Sequence, residues 1–205
     1  MIGPRNAFKL ILFGTLLVTG AQTRAQQPQT TQPQTPMTQP PNPTPSPAPP
    51  VAADPKDVAS IDAILAALYD VISGPAGAPR DWQRMRSLFL PGARLIPTAH
   101  QADGTTAARV LDVDGYIERA GKAFATQGFY ERGVANRVEQ FGRIAQVFST
   151  YEARHAAKDA KPFLRGVNSI QLMHDGRRWW VVTVFWQAED AQTPLPDKYL
   201  KAPPD

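Results

Sequence analysis

The chain contains no cysteine. Disulfides and a lipid-bearing N-terminal cysteine are therefore excluded, and any folded part must be held together by a packed core. Histidine is scarce. His100, His155 and His174 fall in a loop tip, at a strand end and at a hairpin, and none stands at metal-ligand spacing from another His, Asp or Glu. They read as surface residues, and no metal site is expected. A basic footprint is missing too. The chain carries 22 Lys and Arg against 18 Asp and Glu; residues 1 to 25 hold Arg5, Lys9 and Arg24 and no acid, so 22 − 3 leaves 19 against 18 beyond them. Nucleic-acid binding needs clustered positive charge, and none is present. No internal repeat is visible.

The N-terminus, MIGPRNAFKLILFGTLLVTGAQTRAQQ, has the parts of an export signal: a basic start, an apolar run from Leu10 to Gly20, and small residues that permit cleavage after Ala21 or Ala25. The apolar run is short for a bilayer span, so residues 1 to 25 read as a signal peptide, with an uncleaved membrane anchor as the alternative. Residues 26 to 56 are rich in Pro, Gln and Thr and lack apolar periodicity. They read as a disordered linker of polyproline II character, either inert or serving as a spacer or groove ligand. Residues 57 to 199 form one folded domain, and residues 200 to 205 a short tail. The protein is expected to be exported, either to the periplasm or secreted.

Within the domain, Ile61, Leu65, Leu68 and Ile72 recur at helical spacing over residues 57 to 71, and SGPAGAP stops the run. Asp81 can cap a second helix, DWQRMRSLF, that carries Trp82, Met85 and Phe89 and ends at Pro91-Gly92. ARLIP (93 to 97) reads as a first strand, followed by a polar tip. Asp112 or Asp114 caps a third helix with the stripe Tyr116, Ile117, Ala120 and Phe124. From Gly128 the period becomes two, which predicts strands over 129 to 141, 143 to 155, 163 to 174 and 178 to 188, with Asp175-Gly176 as a tight hairpin turn. Helices gathered on one face of an antiparallel sheet make an α+β domain.

This succession, with FGRIAQVFSTYEAR (141 to 154) and the DGRRWW hairpin (175 to 180), resembles the nuclear transport factor 2-like superfamily, which includes SnoaL-like cyclases, ketosteroid isomerases and scytalone dehydratases. The resemblance implies a cone-shaped, strongly curved antiparallel sheet wrapped around about three helices, a cystatin-like roll. It also implies a cavity for a small apolar ligand and frequent homodimers through the outer sheet face. One chemistry does not follow from it.

Alternation supplies the pocket candidates. Ala145, Val147, Ser149 and Tyr151 share one face of their strand, and Asn168, Ile170 and Leu172 one face of the next; both sets are expected to point inward. Ser149, Tyr151, Asn168, Ile170, Leu172 and Trp186 are the expected pocket residues. The last strand is apolar on both faces, with Trp180, Val182, Val184 and Trp186 on one and Trp179, Val181, Thr183 and Phe185 on the other. Its orientation stays open, because a one-residue slip reverses it. One row is expected to pack on the helices and the other to meet a second copy of the chain, or else to lie under the C-terminal segment QTPLPDKYLKAPP.

For chemistry, Glu131 is a candidate base and Tyr151 a candidate hydroxyl donor. Glu131 also reads as an exposed strand-end acid or a partner of Arg132 or Arg154. Arg165 beside Asn168 reads either as an anion receptor or as a solvated arginine, and Trp82 as core. The legible inward positions hold Ala, Val, Ser, Tyr, Asn, Ile and Leu, with no interior Asp or His. The expectation is therefore a module that binds a small apolar or amphipathic molecule, without cofactor or assigned catalysis. A cofactor-independent isomerase or lyase is the alternative, and a structural assembly homodimer a further one. The enzyme requires an ionisable group deep in the cavity with a displaced pKa; the pure binder does not.

Overall fold

A computed structural model describes residues 52 to 201; the signal-like segment and nearly all of the linker lie outside the described residues. The first helix, α1 (Pro55–Val58), opens under an Asp54 cap, and α2 (Ile61–Ile72) follows after a break. The sequence read these as one helix. Ser60 separates them: it is extended, and its hydroxyl accepts from the Ala63 amide at 3.1 Å, restarting the helix. The apolar stripe on α2 is sunk in the core, with Ile64, Leu65, Leu68 and Ile72 all buried. Each contributes about 1.5–3 kcal/mol by leaving water. Asp81 caps α3 (Trp82–Leu88), and Asp112, rather than Asp114, caps α4 (Val113–Phe124) through the Gly115 amide at 2.7 Å. Asp114 instead pairs with Arg86.

Six strands form a curved, unclosed sheet: β1 (Phe89–His100), β2 (Thr106–Ala108), β3 (Tyr130–Phe141), β4 (Ile144–Arg154), β5 (Leu164–His174) and β6 (Trp179–Ala188), in the spatial order β2-β1-β6-β5-β4-β3. The domain is α+β, as its pattern of elements requires. All pairings are antiparallel except β1 with β6, which run parallel; α4 and four strands, β2 to β5, lie between them in the chain and supply the crossover that a parallel pair needs. Strand β1 begins earlier than ARLIP. Pro91-Gly92 lies inside it rather than after the helix, at a shift of register between Phe89 and Arg94 where Gly92 takes φ +86°.

Two expectations about β6 are corrected. Asp175-Gly176 is not a two-residue turn: His174 pairs with Trp179, so four residues make the loop, and Asp175 accepts from the Arg177 and Arg178 amides and from the Trp180 indole. The two-residue hairpin is Gly142-Arg143, between Phe141 and Ile144. Nor is either alternating row of β6 the inner one. A bulge between Gln171 and Leu172 pairs Thr183 and then Val181 with consecutive residues of β5, leaving Val182 over. Inner positions therefore switch row, from Trp186 and Val184 on one side of the bulge to Val181 and Trp179 on the other.

On the outer face, the C-terminal segment folds back over β3 and β4. The Thr150 hydroxyl donates to the Tyr199 carbonyl at 2.6 Å, the Tyr199 ring lies 5.9 Å from Phe148, and the Arg137 guanidinium donates to the Lys198 carbonyl. It does not cover Phe185, which remains 45% exposed.

Candidate functional site

Between the helices and the concave face of the sheet lies a cavity of about 600 Å³. Its walls come from α2 (Leu68, Tyr69, Ile72), α4 (Tyr116, Ala120, Phe124) and β1 and β6 (Leu95, Val184, Trp186), and Glu131, Tyr151 and Asn168 supply the polar groups of the sheet wall. The exposed residues Gln101, Arg109 and Arg119 mark its mouth.

Glu131 is held from the backbone outward. The Ser73 hydroxyl at the end of α2 accepts the Glu131 amide at 3.0 Å, and Gly74 and Phe129 exchange backbone hydrogen bonds at 2.7 and 3.0 Å. The first residues of β3 are thus clamped to the end of α2. The register partner of Glu131 on β4 is Ala153, which leaves room for the carboxyl to turn inward. A shift of register between Gly133 and Ala135 then pushes Val134 out of the ladder and brings Asn136, rather than Ala135, opposite the inward Ser149. A β-bulge thus keeps both the acid and the amide of one strand on the same face.

Of the two readings the sequence left for Glu131, the structure favours the candidate base over the exposed or arginine-paired acid. Glu131 pairs with neither Arg132 nor Arg154; both of those bind Glu152 on the outer face, and together they hold the Glu152 carboxyl below its ordinary range. The surface that Glu131 keeps accessible faces the cavity. Burial among apolar walls pushes its carboxyl up to about 7, opposed only by one long hydrogen bond from the Asn168 amide at 3.4 Å.

Asn168 gives its second amide hydrogen to the Tyr69 hydroxyl at 3.2 Å. That hydroxyl sits 2.5 Å from Ser149 Oγ, and Ser149 Oγ donates to Asn136 Oδ1 at 2.7 Å. Ser149 has one proton and spends it on Asn136, so Tyr69 must be the donor to Ser149. The buried chain therefore runs Asn168 to Tyr69 to Ser149 to Asn136, with every hydrogen assigned. Its end at Asn168 presents N–H to Glu131.

Two further tyrosines face the acid. Burial first, and the charge of Glu131 second, raise the Tyr116 and Tyr151 hydroxyls above their ordinary range, so both stay protonated at neutral pH. Neither is shifted by a hydrogen bond to the protein, unlike Tyr69, so both are free to donate to a bound molecule. Tyr151 has glycine as register partner on both sides, Gly133 and Gly166. A Cβ on Gly166 would stand 2.6 Å from the Tyr151 hydroxyl, so this glycine gives the ring its place. Tyr116 meets the Trp186 ring edge-on at 6.3 Å.

Of the residues expected in the pocket, Tyr151, Asn168 and Trp186 reach the cavity together with Glu131. Ser149, Ile170 and Leu172 face inward, but they lie in the core behind the wall. Arg165 pairs with Glu189, at 2.5 and 3.0 Å, and does not line the cavity. Trp82 is partly buried against Phe124. His100 is the exposed last residue of β1, within 3.3 Å of Asp190, while His155 stacks on Phe163 and His174 meets Trp179 edge-on. Sequence reasoning missed the roles of Tyr69 and Tyr116. Tyr69 stands four residues after Leu65 and three before Ile72, on the buried stripe of α2, and that spacing was the signal available.

No protein-family model and no curated protein matches this chain. Among solved structures, it is similar to an NTF-2-like protein of unknown function from Silicibacter pomeroyi, at 16% identity and a TM-score of 0.42, over 64% of this chain and 94% of that one. It is similar also to a protein from Kribbella flavida, at 13% identity and a TM-score of 0.48, over 64% and 90% of the two chains. With LinA the identity is 12% and the TM-score 0.46, over 67% and 88%.

Proposed function

We propose that the cavity is the site of a cofactor-independent acid–base enzyme, an isomerase or lyase acting on a small, mostly apolar carbonyl compound. One observation carries the reading: Glu131 is an acid inside an apolar cavity, without a cationic partner among the described residues, whose carboxyl is pushed up to about 7. Near neutral pH such a group is part carboxylate and part acid, so it can both take and return a proton. The small-molecule pocket expected from the sequence is retained, and a proton-transfer group is added to it.

In this mechanism the Glu131 carboxylate removes a proton from the carbon next to the substrate carbonyl. The electron pair of the broken C–H bond moves to the carbonyl oxygen, and the developing oxyanion accepts a hydrogen bond from Tyr116 or Tyr151. Protonated Glu131 then returns its proton to a conjugated carbon, which is isomerisation, or the enolate expels a group from the neighbouring carbon with its bonding pair and Glu131 gives that group its proton, which is elimination. Asn168, anchored through Tyr69 and Ser149, orients the carboxyl for both steps. We also propose that the protein works after export, on the strength of the signal-like residues 1 to 25 and the spacer-like tract that follows.

The test is deuterium exchange. The full chain, incubated in D2O with a panel of cyclic enones, is expected to catalyse exchange at the carbon beside the carbonyl, with a rate that rises through about pH 7 and is lost in Glu131→Gln. Exchange equal in the wild type and Glu131→Gln would sink the proposal.

A further inference from the structure

The cavity has three charged residues in its wall, and they are not gathered in one place. Glu131 is inside; Arg109 and Arg119 are both at the mouth. Most arginines of the domain are engaged. Arg84, Arg86, Arg132, Arg154 and Arg165 bind carboxylates, while Arg80, Arg94 and Arg137 bind backbone carbonyls. Among the described residues, the guanidinium groups of Arg109 and Arg119 make no hydrogen bond or ion pair. Nor do they serve Glu131, which feels burial and Asn168 and no cation.

Position makes this more than a pair of solvated side chains. On α4 the residues facing the cavity are Tyr116, Arg119, Ala120, Ala123 and Phe124, the stripe that helical spacing puts on one side. The solvent side of the same helix carries its own ion pair, Glu118 with Lys122 at 2.7 Å. Arg119 is thus a cation on the inner stripe, one turn, or about 5 Å along the axis, from Tyr116. Arg109 approaches the same mouth from the segment that follows β2.

We infer that the ligand of this cavity is an amphipathic organic anion, with an apolar body between α2, α4 and β6 and a carboxylate- or sulfonate-like group held at the mouth by Arg119 and Arg109. This rests on the proposed function for the reacting end and adds the class of molecule that would enter. Planar guanidinium groups match such an anion with paired N–H donors. The arrangement also keeps the negative group of the ligand at the mouth, away from Glu131, where a second negative charge would hinder ionisation of the base.

Two dyes that differ in one group test this on the full chain: 8-anilinonaphthalene-1-sulfonate and its uncharged counterpart N-phenyl-1-naphthylamine, titrated by fluorescence at low salt. The wild type is expected to bind the sulfonate more tightly. Replacing both residues, Arg109→Gln with Arg119→Gln, is expected to weaken sulfonate binding by about tenfold while leaving the neutral dye unchanged. Added salt should narrow the gap. Arg177→Gln, an exposed arginine at the far hairpin, controls for overall charge and should change neither. Parallel loss of both dyes, no loss of either, or binding of the neutral dye alone overturns the inference. Dye binding needs no proton transfer, so a failed arginine result leaves the acid–base reading standing. Conversely, a Glu131 that proves inert in exchange leaves the dye result standing.

Discussion

The side-chain amide of Asn168 reaches the carboxyl of Glu131 across the inner face of the sheet, 3.4 Å from Nδ2 to Oε1, and is the carboxyl's one hydrogen-bond partner among the described residues. The pair spans β5 and β3, with β4 between them. A long, single, neutral donor compensates little of the cost of a buried charge, so the carboxyl stays well above its ordinary range.

That displacement makes stability depend on pH. The folded protein holds the Glu131 proton up to about 7, whereas in the unfolded chain it leaves near 4.5. Between these values the folded state binds more protons, so the contribution is fully present below about 4.5 and is lost as pH rises through about 7. Glu131→Gln, which keeps the shape and cannot ionise, is expected to stabilise the protein by about 3 kcal/mol at pH 8 and by little at pH 4. Urea unfolding at the two pH values measures it; equal effects at both would show that Glu131 does not titrate in this range.

Removing the amide should move the acid further. Asn168→Leu deletes the donor that opposes burial, so the Glu131 carboxyl is expected to titrate above its wild-type value of about 7. The rate profile of any Glu131-dependent exchange should shift to higher pH in step. Carbon-13 NMR of labelled glutamate side chains follows this directly, and an unmoved titration would assign the shift wholly to burial.

Gly166→Ala tests the place made for Tyr151. The new Cβ would fall 2.3 Å from the Gln187 carbonyl and 2.6 Å from the Tyr151 hydroxyl. Both cannot be relieved by rotating one side chain, so a loss of about 1–3 kcal/mol is expected. Adding Tyr151→Phe removes the hydroxyl and leaves the backbone clash. Only part of the loss should therefore return, as thermal unfolding of the single and double variants would show.

The C-terminal segment is expected to contribute to the domain's stability. Tyr199→Ala removes the ring that packs against Phe148, at 5.9 Å, and under the Arg137 guanidinium, at 5.8 Å. A loss of about 1 kcal/mol, or roughly 2–4 °C in Tm for a domain of this size, is expected. An unchanged Tm would mean that the Thr150 and Arg137 bonds to the backbone hold the segment without the ring.

Local chemistry in the sequence determined most of the elements. Asp81, Asp112 and Ser60 cap helices because short polar side chains satisfy free amides there, although Ser60 was not picked out in advance. Strict alternation identified the inward row of β4, from Ala145 to Tyr151, and of β5, from Asn168 to Leu172, because neither row is interrupted by an extra residue. It failed on β6, where both rows are apolar and Val182 is extra to the ladder. No composition signal marks which of two apolar rows a bulge will exchange.

The acid was legible as a residue and not as an environment. Glu131 was a candidate from its place at a strand start, with Arg132 next to it and Arg154 on the following strand as alternative surface partners. Only the tertiary structure sends Arg132 and Arg154 to Glu152 on one face and Glu131 to the cavity on the other. The reason is physical. Which elements form depends on spacing and caps within a dozen residues, which the chain carries locally. Burial of a carboxyl is a sum over α2, α4, β5 and β6, brought together from positions up to about a hundred residues apart, as Tyr69 and Asn168 are. The sequence by itself determined α3, α4, most of α2, the four strands β3 to β6 and the inward rows of β4 and β5, but not the break before α2, the start of β1 or β2; the burial that raises the pKa of Glu131 was decided where those elements meet.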